Sequence, residues 1–259
     1  MPRRKFEFEN AVLSVGHIHV ALANDMDEHL NASFSCNGTL LSQSPLAPHC
    51  WVALKVKERF SVHVGFDGVS VPYLNAGGLV ATVFFDGVRV SDAFITADSI
   101  TRRVLELREL TATTDDVWGA TEICGSPGDE GMMGRFTFEH RDTAANGFPW
   151  PYPDSLGQIR VEVRWASLTL GLPGSMKHLY AEAGLLSTVI ETRSLGKHHG
   201  FVAALEPAEI DPQVKAERQS EGGFRFEHVP LDDEVYTFTF HYAPEKVLRK
   251  KGYMRVLRE

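Results

Sequence analysis

The sequence predicts an all-β fold: a mainly antiparallel β-sandwich, jelly-roll-like, closed by a short C-terminal helix. Period-two alternation is the first observation. In Ile159-Arg160-Val161-Glu162-Val163-Arg164-Trp165 the apolar side chains fall on one face and the charges on the other, as in a strand with one face on a core and one in water. The run Val235 to Tyr242 repeats the pattern, with Tyr236, Phe238, Phe240 and Tyr242 inward and His241 on the opposite face. The second is turn chemistry, clearest at Asp86-Gly87, which favours the tight primed turns of hairpins. The third is the scarcity of regular helices between strands, which favours a sandwich or barrel over a parallel α/β sheet.

Taken in order, an early strand is expected over Ala11 to Ala21. Trp51 to Val56 and Phe60 to Phe66, separated by Lys57, Glu58 and Arg59, read as a hairpin. Leu79 to Phe85 and Val88 to Ser91 flank Asp86-Gly87, and Asp67-Gly68 supplies a similar turn after the Phe60 strand. Arg102 to Leu110, Arg135 to Phe138 and Phe224 to Phe226 complete the set. Pro244-Glu245 opens a helix with cations at its end and Gly252 as its cap. Within Pro173 to Glu191 a short helix is expected around Tyr180-Ala181-Glu182-Ala183, and Glu206 to Glu217 reads as a loop or exposed helical turn. Gly125 to Gly134 and Phe148 to Pro153 read as long loops. No repeat or linker divides the sequence, so one domain is expected over residues 1–259, with long loop insertions near 23–48, 111–134 and 143–156.

Composition narrows the function classes. A chain of 259 residues can bury a sizeable core, and 43% hydrophobic with 23% charged residues excludes wholesale disorder. A net charge of −8 speaks against a general nucleic-acid surface. Cys36, Cys50 and Cys124 are too few and too scattered for a disulfide framework or Cys-rich zinc site, and read as reduced thiols. Arg3-Arg4-Lys5 imitates the start of a signal peptide, but Glu7 and Glu9 interrupt the apolar stretch that should follow. No run of about 18 apolar residues is present, so no membrane partner is expected. These features lead to the expectation of a cytoplasmic or nuclear protein, not a secreted one. The sequons at Asn31 and Asn37 then read as chance matches.

No motif specifies a reaction. Gly-x-Ser-x-Gly, P-loop and dinucleotide patterns are absent from the sequence, so catalytic residues stay unassigned and no cofactor is expected. His17 and His19, two apart in the expected early strand, would share a face, with His63 or His241 as a conceivable third ligand. They are the weak candidates in a chain expected to hold no metal, and surface or partly buried histidines are the plainer reading. Lys197-His198-His199-Gly200 reads as an exposed loop or strand edge. Cys124 beside its glycine-rich loop lacks an identifiable histidine partner. Asp115-Asp116 and Asp232-Asp233-Glu234 read as solvated turn acids.

The binding candidate is the stiff aromatic loop, with Phe148, Trp150 and Tyr152 as ligand-binding residues and His63 and His241 beside them. Structurally, the same loop would cap one end of the sandwich. Arg249-Lys250-Lys251 with Arg255 and Arg258 reads as a nuclear-import signal, an acidic-partner contact or a solvated helix end.

An ordered series of segments resembles the uncharacterised fungal DUF7918 family. It comprises Cys50-Trp51, Phe60-Ser61-Val62, Phe85-Asp86-Gly87-Val88 and Leu156-Gly157-Gln158-Ile159-Arg160-Val161. The terminal run Thr237-Phe238-Thr239-Phe240-His241-Tyr242-Ala243-Pro244, with Leu248 and Gly252, is the most specific of them. The resemblance spans roughly Trp51 to Gly252 and implies a fungal, intracellular, β-sandwich-like domain, without transferring an active site. The functional expectation is a binding module for a protein partner or small ligand. The alternative is a cofactor-independent enzyme of the cyclase or isomerase type, acting on an apolar metabolite in a sandwich or barrel cavity.

Overall fold

A computed structural model describes residues 6–7, 9–24, 28–36, 39–40, 47–66, 77–96, 121–123, 132–145, 147–171, 190–191, 200–208, 225–253 and 255–256. The strands of its two large sheets are, in chain order, β1 (Glu9–Asn10), β2 (Val12–Val15), β3 (Ile18–Asn24), β4 (Asn31–Ser33), β5 (His49–Leu54), β6 (Arg59–Phe66) and β7 (Gly78–Phe85). They continue as β8 (Val88–Thr96), β9 (Thr121–Ile123), β10 (Met132–His140), β11 (Gln158–Gly171), β12 (Phe201–Ala208), β13 (Arg225–Pro230) and β14 (Tyr236–Pro244). Helix α1 (Glu245–Lys251) follows β14 directly.

The first sheet runs β8-β7-β11-β14-β5-β4-β1, with β13 also paired to β11. The second runs β9-β10-β6-β3-β2, with β12 on β10. Within these two sheets the described pairing is antiparallel except between β14 and β5, where Thr239–Pro244 lie parallel to His49–Leu54. Among the described residues, the architecture is therefore an all-β sandwich with one short C-terminal helix.

Alternation explains which faces meet. Phe238, Phe240 and Tyr242 of β14 point inward with Ile159, Val161, Val163 and Trp165 of β11, all buried in one core shared by both sheets. Phenylalanines join the layers. Phe60 of β6 lies 4.5 Å from Phe138 of β10 and 5.7 Å from Phe85 of β7, and Phe85 meets Phe136 edge-on at 4.7 Å. Burying these rings removes large apolar areas from water and stabilises the contact between the layers. On the outer face of the first sheet, Leu248 of α1 packs with Ala243, against Trp51 and Tyr253. Gly252, at φ 73, ends that helix with its N–H bonded back to the last turn.

The β7–β8 hairpin forms as expected. Phe85 pairs with Val88, and Asp86 (φ 51) and Gly87 (φ 87) both take the left-handed conformation of a primed turn. Elsewhere the structure corrects the sequence reading. The Ala11–Ala21 strand is a hairpin, β2 and β3, turning at Gly16 (φ 56) and His17. Residues 51–56 and 60–66 do not form a hairpin: β5 and β6 belong to different sheets. The link between them crosses the sandwich, with Lys57 at φ 63 donating its N–H to Phe138 O (2.6 Å). Apolar alternation is the same in a crossing pair as in a hairpin, so the pattern alone could not separate them. Strands β4 and β9 fall in the 23–48 and 111–134 stretches read as loop. Strand β12 was not expected, and it takes in the start of the Glu206–Glu217 loop. The expected Arg102–Leu110 strand, the helix near Tyr180, Asp67-Gly68, Asp115-Asp116, Cys124 and residues 197–199 lie outside the described residues.

Candidate functional site

The Asp86-Gly87 turn, the end of β10, the starts of β11 and β12 and the last part of β14 converge at one end of the sandwich. Asp86 is a turn residue, yet its side chain is wholly buried. Its Oδ1 accepts the N–H of Gly157 (2.6 Å) and of Gln158 (3.3 Å). The Tyr242 hydroxyl lies 2.9 and 2.8 Å from the two carboxylate oxygens, and Arg141 Nη2 pairs with Oδ2. The Asp86 carbonyl accepts the indole N–H of Trp150 at 3.0 Å.

The partners are held in turn. Tyr242 Oη accepts the N–H of Ala203 in β12 at 2.9 Å. Arg141 donates from its backbone to Gly200 O (3.0 Å) and from Nε to Phe201 O (3.5 Å). The Trp150 ring covers its guanidinium at 5.0 Å. Arg141 Nη1 is buried with no hydrogen-bond partner among the described residues.

Burial raises the Asp86 carboxyl to about 6, and the Arg141 charge, the Tyr242 hydroxyl and the two N–H groups keep it from rising further. Burial, followed by the Asp86 charge, pushes the Tyr242 phenol well above its usual range. Tyr242 is therefore a permanent donor to the carboxylate. The network ties β7, β11 and β14 of one sheet to β10 and β12 of the other.

The same atoms fix the aromatic loop. Trp150 is 4% exposed and plugs the end of the core, whereas Phe148 is 50% and Tyr152 37% exposed. Tyr152 lies over Gly87, where a Cβ would come within 2.6 Å of Tyr152 Cβ. A single 3-10 turn, Pro153–Ser155, then leads to buried Leu156. Gln158 Nε2 donates back to Asp154 O at 2.8 Å. Two exposed rings thus stand on a loop whose middle and end are anchored. This arrangement can offer apolar area without first being ordered.

The other sequence candidates do not join it. His63 is on the outer face of the second sheet, with Nε2 2.7 Å from Ser61 Oγ. His241 is on the outer face of the first, stacked at 4.8 Å on Trp51 and edge-on to His49 at 5.8 Å. Trp51 in turn stacks on Tyr253 at 4.1 Å. His63 and His241 therefore lie on opposite sides of the sandwich. His17 and His19 do not share a strand face: His17 is in the turn, edge-on to Phe66 at 5.9 Å, while His19 projects from β3 over Gly65. Among the described residues no three His, Cys, Asp or Glu side chains come together as a metal cluster. Asp232 and Glu234 make local bonds, to Glu234 N and from the Tyr236 hydroxyl. Burial holds the Cys50 thiol far above its usual range, so it stays protonated. Among the described residues, no helix is long and apolar enough to cross a membrane.

Sequence reasoning missed Asp86 as anything but a turn residue, and missed Arg141 altogether. Tyr242 was legible only as core. No family model, curated protein or solved structure matches the chain.

Proposed function

We propose that this protein is a binding module that docks a protein partner or small ligand on the Phe148–Pro153 loop. The observation that carries the reading is a pair of half-exposed rings, Phe148 and Tyr152, on a loop pinned by buried Trp150. Exposed aromatic side chains with few rotatable bonds are favoured as contact anchors, because little side-chain freedom is lost when they are covered. Rigidity in the free state lowers the cost further.

We also propose that the chain belongs with the DUF7918 proteins it resembles. Three of the segments behind that resemblance, Phe85-Asp86-Gly87-Val88, Leu156-Gly157-Gln158 and the run through Tyr242, are the ones that Asp86 joins. The enzyme alternative finds less support. The space between the described strands is occupied by apolar side chains, and His19, His63 and His241 face away from it.

The test uses ligand-screen thermal shifts and affinity capture with the wild type and with Phe148→Ser/Tyr152→Ser. The reading expects a ligand or partner that the wild type binds and the double variant loses, with the unliganded Tm of the variant unchanged. Equal binding by both proteins, or turnover of a small molecule without binding at the loop, would overturn it.

A further inference from the structure

We propose that the Asp86–Arg141 pair is a pH-operated latch on the Phe148–Pro153 loop, such that protonating the carboxylate releases Trp150 and frees the loop. The inference deepens the docking proposal and takes its biological meaning from it, but the latch can be measured without any partner.

Asp86 is fully buried, and the Arg141 side chain is 2% exposed. Each supplies the other's countercharge. The groups facing the carboxylate are Arg141 from the end of β10, Tyr242 from β14, and the uncharged N–H groups of Gly157 and Gln158. The neighbouring Asp142 and Asp154 are exposed, and exposed His140 stands against the Phe201 ring at 5.0 Å. Once the carboxyl takes a proton, the guanidinium is left buried without a countercharge, an unfavourable state for a group taken out of water. One of its nitrogens, Nη1, already has no partner among the described residues.

Relief requires water at the guanidinium. On one side, strand backbone holds Arg141 through Gly200 O and Phe201 O, and these atoms belong to the β10–β12 edge. On another, the cover is the Trp150 ring, tethered by one neutral hydrogen bond to Asp86 O. The ring is held by that bond and by its own burial in the core, whereas the strand is held by a continuous backbone ladder to β12, so the ring yields before the strand does. The same proton weakens the acceptor that holds Gly157 and Gln158, at the loop's far end. Burial lifts the carboxyl to about 6, which brings the change within reach of mildly acidic pH.

The experiment is ¹⁵N NMR hydrogen exchange on the full chain, read as protection of the Trp150 indole N–H and the Gly157 amide. It is run near neutral pH and near pH 5, with the Val161 and Val163 amides of β11 as internal reference. The latch expects protection of the first pair to fall on the order of ten-fold on acidification while the reference holds. Asp86→Asn, which cannot ionise, should show the low value at both pH values. Should that variant not fold, the ¹³Cγ shift of Asp86 in the wild type decides alongside the exchange. Protection that holds across the range, that falls only together with the reference, or an Asp86 carboxyl that does not titrate there, overturns the latch. These outcomes leave the docking proposal to its own variant, Phe148→Ser/Tyr152→Ser, which does not touch Asp86.

Discussion

Tyr242→Phe removes one oxygen from the centre of the network and leaves the ring in place. Tyr242 is 4% exposed, and its ring packs 5.4 Å from Phe138, so the substitution opens no appreciable cavity. Two losses follow. Asp86 forfeits a donor at 2.8–2.9 Å, a hydrogen bond to a charged acceptor contributing about 1.5–3 kcal/mol. The buried Ala203 N–H forfeits its acceptor at 2.9 Å, and an orphaned buried donor costs about 1–3 kcal/mol. Because the two share one network they will not add fully, and the expected destabilisation is about 3 kcal/mol. For a chain of this size that is a drop of roughly 6–12 °C in Tm. Guanidinium unfolding with an unchanged m value would establish that stability, rather than compactness, has changed. Tyr236→Phe is the control, since its hydroxyl bonds the exposed Glu234 carboxylate at 2.7 Å and its loss should cost about 0.5 kcal/mol or less. A Tyr242→Phe loss no larger than that of Tyr236→Phe would refute the reasoning.

Other expectations follow from the same geometry. Gly87→Ala combines a left-handed φ of 87 with a Cβ 2.6 Å from Tyr152 Cβ, whereas Gly16→Ala, at φ 56, meets nothing within 4 Å. The first should cost about 2–4 kcal/mol and the second about 1, as read by thermal unfolding. Phe238→Ala empties a fully buried site between the sheets and should cost about 3–5 kcal/mol in chemical denaturation. The Asp86 carboxyl is raised in the folded state, to about 6 from an ordinary 3.8. The fold therefore binds the proton more tightly than the unfolded chain does, so this group's contribution is complete below about pH 4 and is lost as pH rises through about 6. Relative to Asp86→Asn, the wild type should gain about 2 kcal/mol between pH 7 and pH 4. A flat difference would place the carboxyl at its ordinary value. This global gain compares the folded with the unfolded chain and comes from burial of the carboxyl, whereas the latch compares two folded arrangements of the loop once the proton is on.

Much of the fold was legible because burial imprints a local period. The alternation in β11 and β14 named the inward residues correctly, down to His241 on the opposite face, and Asp86-Gly87 marked its hairpin. What the sequence could not encode locally was partnership. A strand that crosses to the other sheet at Lys55–Glu58 carries the same alternation as one that turns back, so β5 and β6 were misjoined. His17 and His19 looked alike until Gly16 drew His17 into the turn. The aromatic loop was picked out by composition, but not its division into one buried anchor and two exposed rings. That division depends on Arg141 and Asp86, which lie 55 positions apart, and neither stands in a pattern that marks it. A buried ion pair between distant residues leaves no periodic trace, and a turn aspartate is normally read as solvated.

The central claim is that Phe148 and Tyr152 form a docking surface on a preorganised loop. It is tested most directly by placing a photo-crosslinking amino acid at position 148 in the full chain, within cells that naturally make it. Position 246, exposed on α1, serves as the comparison site. The docking account predicts a discrete crosslinked product from position 148 that is absent from position 246 and abolished by Tyr152→Ser. The same products from both positions, or none from position 148, would contradict it.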